Sequence, residues 1–286
     1  MVNLKEQVEA SRNKLENCWT GLQNIPSDSI LPNTCYEQWK DRASLHQVLK
    51  GTSLLFEVRE KAYNLIGEVA ESIATDPESN PNLIQYNNIE MDFDTARHLV
   101  ITSYITTTWA IYDRLANVCG RLAGTSDLGN NPRQNPKACE DLLGIENKDG
   151  KHKSKEMMGF SVHKKIRDAY AWPLNISYKI RNWLVHEGYE LGEITLFKST
   201  DIIDGFILND DAISFFEKKC NHKSDENGSF YNCCLDGIEE CWPTKDLYKI
   251  LKKYNNEIDA MFASLLKWSV ESYELQIKCF TRMTSQ

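Results

Sequence analysis

The sequence contains no run of about 18 or more apolar residues, the least a helix needs to span a bilayer, so no membrane segment is expected. Glycine and proline are scarce, 14 and 8 of 286 residues, which speaks against long disordered or repetitive stretches. The opening residues, MVNLKEQVEASRNKLENCW, mix charge into an amphipathic pattern and lack the apolar core of a secretory signal. No GxxxxGK(S/T) loop is present to cradle nucleotide phosphates, and neither GxSxG nor HExxH occurs, which removes the usual sequence signals for an NTPase, an α/β-hydrolase and a zinc protease. A surplus of positive charge is lacking too. The net charge of -8 argues against a protein that coats duplex DNA, where phosphate neutralisation dominates, but leaves room for a small local nucleic-acid site.

What is present is an ordinary globular composition, 41% hydrophobic and 26% charged, with enough chain for one large domain or two small ones. Helical periodicity prevails. Leu4, Val8, Leu15, Trp19 and Leu22 fall near one face of a first helix. Leu54, Leu55, Val58, Ala62, Leu65, Ile66, Val69 and Ile73 define a second, which ends at Asp76-Pro77 before the polar loop ESNPN. A long third runs from about Asp94 to Leu122, carrying Leu99, Val100, Tyr104, Trp109, Ile111, Leu115, Val118 and Leu122. A fourth is expected from about Gly159 to Glu187, kinked or restarted at Pro173 and ended by Gly188. The last, from about Thr244 to Cys279, is expected to bury Leu247, Ile250, Leu251, Tyr254, Ile258, Met261, Phe262 and Leu265. Residues of about 190–242 differ: EITLFK and IIDGFIL fit short strands around a turn, and DDAISFFEKKC fits a short capped helix. The expectation is a single all-α domain over 1–286, with 1–50 as a helical extension and about 190–242 as a small mixed insertion before the last helix. The nine cysteines are scattered apart from a group near the C-terminal third. With no export signal, reduced thiols in a cytoplasm are the expected state, and the sequon Asn227-Gly228-Ser229 is expected to carry no glycan.

The most chemical stretch is KIRNWLVHEG, residues 179–188. On a helix turning about 100° per residue, Ile176, Ile180, Trp183 and Leu184 form one apolar stripe and Leu174, Tyr178 and Val185 a second patch on another side. Arg181 and Asn182 border that second patch, and His186 stacks one turn beyond Asn182. Arg181 and His186 lie roughly 140° apart, so one straight helix does not readily aim both at one atom. Two copies packed through Leu174, Tyr178 and Val185 would let residues of both helices meet across the seam. Arginine offers paired donors for phosphate oxygens, histidine moves protons near neutral pH, and asparagine can orient either. That set suits RNA cleavage, where the 2′-hydroxyl of the substrate is itself the nucleophile and no metal or cofactor is needed. Spacing alone also fits plain structure, with Arg181 in an ion pair and His186 at a helix C-terminus.

The string R-N-W-L-V-H resembles the Arg-polar-x(3–5)-His signature of the HEPN superfamily of all-helical domains, which includes many RNases and toxins of bacterial defence systems. The helix ARHLVITSYITTTWAIYDRLANVCGRL is similar to the long second core helix of such domains. The resemblance covers about residues 50–125 and 159–190 and is extended to the last helix. It implies a compact helical bundle, a homodimer with arginine and histidine lining a cleft at the interface, and metal-independent endoribonuclease activity in a toxin or antiviral defence effector. Matched residue by residue, His186 is the general base or acid, Arg181 stabilises charge on the phosphate, and Asn182 orients the pair or the substrate. A branch paired with a nucleotidyltransferase antitoxin has tyrosine two residues after the histidine. Here that position is Gly188, and tyrosine follows at Tyr189. Control by nucleotide attachment at that position is therefore not implied, although a cognate antitoxin or defence partner is. Some members are non-catalytic dimerisation, protein-binding or nucleotide-binding modules, and that is the alternative function.

The segment before the motif concentrates Lys151, Lys153, Lys155, Lys164, Lys165 and Arg167, and Lys179 lies beside the motif itself. In an acidic chain this is a local basic patch suited to RNA, and equally a solvated loop and helix face. Lys164, Lys165, Arg167 and Lys179 are the candidate RNA contacts. Trp172 or Tyr178 could stack on a base or simply pack. Cys220, His222, Cys233 and Cys241 are soft ligands close in sequence that could hold zinc, but no C-x2-C pair is present and free thiols are the preferred reading.

Overall fold

The computed structural model describes residues 3–25, 33–75, 83–86, 89–123, 181, 192–193, 207–208 and 247–284. Helices dominate them: α1 Leu4–Gln23, α2 Asn33–Ala43, α3 His46–Thr75, α4 Phe93–Ala123 and α5 Leu247–Thr284. Two short antiparallel pairs accompany the helices. β1 Leu83–Tyr86 runs against β2 Ile89–Asp92 in the register Leu83↔Asp92 to Tyr86↔Ile89. β3 Gly192–Glu193 pairs with β4 Ile207–Leu208, at the edges of the two segments expected to be strands. The β1–β2 pair was not expected; the sequence reading places the polar loop ESNPN before it and assigns no element to residues 83–92. The fourth expected helix and the remainder of 190–242 lie outside the described residues, except Arg181, whose backbone is helical.

Local chemistry accounts for the helix ends. Asn3 caps α1, its side chain accepting the Lys5 amide at 3.0 Å. At the other end the Asn24 amide returns to the carbonyls of Gly21 and Leu22, and the Tyr36 hydroxyl donates to the Leu22 carbonyl at 2.9 Å. The α2–α3 junction is a tight corner in which the Ser44 and Leu45 amides reach back to Lys40 and Arg42. α3 stops at Thr75, immediately before Asp76-Pro77, because the residue before proline is pushed out of helical geometry.

The chain divides into two compact units. The first comprises Met1–Glu57, Thr108–Asn175 and Glu257–Gln286. Its described core is built from Leu4, Val8, Leu15 and Leu22 of α1, Leu45, Leu49 and Phe56, the Trp109–Leu122 face of α4 and the Ile258–Ile277 face of α5. Tyr112 centres it, stacked on Phe262 with ring centroids 5.1 Å apart and met edge-on by Trp109 at 5.7 Å. Its hydroxyl donates to Asp259 at 2.9 Å, so the polar tip of the ring is satisfied as well. α5 also anchors the N-terminal elements: Tyr273 donates to the Trp39 carbonyl at 2.6 Å and Glu274 pairs with Lys14 at 3.3 Å. Arg121 of α4 donates to Asp41 of α2. The second unit comprises Val58–Thr107 and Ile176–Asn256. There Tyr104 packs against Tyr63 with centroids 5.8 Å apart and accepts a hydrogen bond from buried Asn255 at 2.6 Å.

Among the described residues, three positions of the expected apolar faces are solvent-facing: Leu54 is 63% exposed, Val58 48% and Leu99 43%. Helix geometry explains α3. Leu45, Leu49, Thr52 and Phe56 follow the 4-3-4 spacing of a buried stripe, and Leu54, two residues from both Thr52 and Phe56, sits about 200° around the helix. Of the residues expected to be buried in the last helix, Ile258, Met261, Phe262 and Leu265 are fully buried. No helix among the described residues is long and apolar enough to cross a membrane.

Candidate functional site

Arg181 is the motif residue that the structure describes; it is helical and half-buried. Asn182 and His186, the basic candidates Lys164, Lys165, Arg167 and Lys179, and the seam candidates Leu174, Tyr178 and Val185 lie outside the described residues. So do the zinc candidates Cys220, His222, Cys233 and Cys241, while among the described residues no group of three or more His, Cys, Asp or Glu side chains could hold a metal.

Thiol chemistry is muted where it is described. Burial pushes the Cys119 thiol up to about 12, partly offset by hydrogen bonding with Ser269. Burial, helped by the nearby Glu274 carboxylate, pushes Cys18 up to about 11. Burial also raises the Tyr273 hydroxyl above its ordinary value. None of the three is ionised near neutrality, so they act as packing and hydrogen-bonding groups rather than as nucleophiles or bases.

A cluster that the sequence reading missed lies in the first unit, where α1, α2 and the start of α3 meet. The Lys40 ammonium stands 5.7 Å from the Trp19 ring centroid and 5.8 Å from that of Tyr36. The His46 ring lies against Trp19 with centroids 6.0 Å apart and planes tilted by 51°. The His46 Nδ1 is 3.0 Å from the Ala43 carbonyl. All four side chains are half-buried. Tyr36 and Lys40, four apart on α2, are the part of this cluster legible from spacing; Trp19 and His46 come from other helices.

Comparison of the chain with family models, curated proteins and solved structures finds no match.

Proposed function

We propose that the chain is a metal-independent endoribonuclease of HEPN type, acting as a homodimer and possessing the chemistry of a toxin or antiviral defence effector. The observation that carries this reading is the Arg181-Asn182-x3-His186 motif. It is supported by the helical character of the described residues, by the half-buried helical setting of Arg181 and by the run of basic residues that precedes the motif in an acidic chain. In the reaction the ribose 2′-oxygen attacks the adjacent phosphorus while His186 takes its proton. The 5′-oxygen leaves with a proton donated by an acid, the imidazolium of a second copy being the natural source. The products are a 2′,3′-cyclic phosphate and a 5′-hydroxyl. Arg181 neutralises the extra negative charge of the pentavalent phosphorus, and Asn182 fixes the geometry.

The test is incubation of the purified protein with total RNA in EDTA, wild type against His186→Ala. Wild-type cleavage that falls by at least about 100-fold in a folded, dimeric variant is expected, the range for loss of a general base. Cleavage undiminished in the variant sinks the reading. A wild-type chain that cuts no RNA would instead be a non-catalytic binding module.

A further inference from the structure

The corner built from Trp19, Tyr36, Lys40 and His46 plays no part in the cleavage step, yet it gathers a cation, two large aromatic rings and an imidazole in one place. Lys40 rests over two rings and makes no ion pair among the described residues. The adjacent acid, Asp41, is taken by Arg121. The Ala43 carbonyl engages Nδ1 of His46, which leaves Nε2 for another partner. An ammonium close to two aromatic rings, with an imidazole beside them, offers a stacking surface and a cation within the span of one nucleotide. An acidic peptide would satisfy the charge but not the rings. A duplex keeps its bases stacked internally, whereas an unpaired nucleotide presents a base face and a phosphate together.

We propose that this corner is an accessory RNA-binding point, remote in sequence from the Arg181 motif, that holds one unpaired nucleotide with its base against Trp19 or Tyr36 and its phosphate on Lys40. The choice of RNA rests on the ribonuclease reading; the grip itself rests on the cluster. The experiment uses full-length His186→Ala protein and a fluorescein-labelled oligouridylate of about ten nucleotides in EDTA, with binding read by anisotropy. Trp19→Ala is expected to weaken Kd roughly 5- to 100-fold, and Trp19→Phe to restore most of the loss. Lys40→Met keeps the stem of a half-buried side chain, and so guards against a Trp19 variant that fails to fold. It is expected to weaken Kd several-fold and to flatten the slope of log Kd against log salt by about 0.7, one phosphate contact to a single strand. An unchanged Kd and salt slope in Lys40→Met overturns the site, as does a parent protein that binds no RNA. The two readings fail separately: loss of cleavage in His186→Ala with Kd indifferent to Lys40 removes this site alone, whereas cleavage that persists in His186→Ala removes the catalytic assignment and leaves the Kd result standing.

Discussion

Individual side chains in this protein are tuned chiefly by burial. Cys119 of α4 is fully buried and hydrogen-bonded with Ser269 of α5, and burial pushes its thiol up to about 12. Burial thus keeps it a protonated, unreactive thiol near neutral pH. Cys279, on the last turns of α5, is exposed. Native-state alkylation followed by mass spectrometry is expected to label Cys279 readily and to leave Cys119 unmodified until the protein unfolds. Rapid labelling of Cys119 in the native state would show that the α4–α5 seam opens. At this scale the sequence was informative about type and poor about environment. Nothing in the spacing of Asn255 and Tyr104, 151 positions apart, announced a buried hydrogen bond between them. Likewise Leu54, Val58 and Leu99 look like core residues in composition, and only the phase of the helix turns them outward.

Elements were far more legible, because helical periodicity repeats over many residues whereas a strand pair rests on a few. The expected third helix, from about Asp94 to Leu122, is observed as Phe93–Ala123, and the second stops where the Asp76-Pro77 pair requires. The β1–β2 pair was missed because its strands have four residues each and Ile84, Tyr86, Ile89 and Met91 can be read as extensions of neighbouring helical patterns. The Asn87-Asn88 dipeptide between them was the available signal, since asparagine tolerates the positive φ that two-residue hairpins use. The helices also contain replaceable weaknesses. A Cβ on Gly21 would meet nothing within 4 Å, and one on Gly51 would touch the Arg114 guanidinium at an ordinary 3.5 Å. Glycine inside a helix costs chain entropy that alanine does not, so Gly21→Ala and Gly51→Ala are each expected to raise stability by about 0.5–1 kcal/mol. Urea denaturation measures it, and a decrease for Gly51→Ala would mean that Arg114 cannot yield.

For the whole molecule, the proton balance sets a stability limit on the alkaline side. Cys18, Cys119 and Tyr273 each hold their protons more tightly in the folded chain than in the unfolded one. As pH rises past the ordinary thiol value of 9.0, the unfolded chain loses protons first. Their contribution is therefore complete below about pH 9 and is lost as pH climbs through the folded values. The urea midpoint is expected to fall between about pH 8 and pH 10.5, with Cys119 contributing up to about 1.4 kcal/mol per pH unit while only the unfolded form titrates. Cys119→Ala should flatten that fall; an equal slope in the variant would exclude the thiol as its source. The candidate site is a different matter at this scale. Its legibility comes from a six-residue string whose residue types suit phosphate chemistry, and of that string Arg181 alone is among the described residues.

The bonds from Tyr273 to the Trp39 carbonyl and from Glu274 to Lys14 join positions 234 residues or more apart. A ribosome making about 5–20 residues per second needs roughly ten seconds or more to get from one end of that contact to the other. During that interval α1 and α2 exist without the helix that covers them. The Trp39 carbonyl and the Lys14 ammonium are then without the α5 partners that they have in the folded chain. These contacts of α1 and α2 with α5 thus form late in synthesis, and a chaperone that shields the two helices would act in that window.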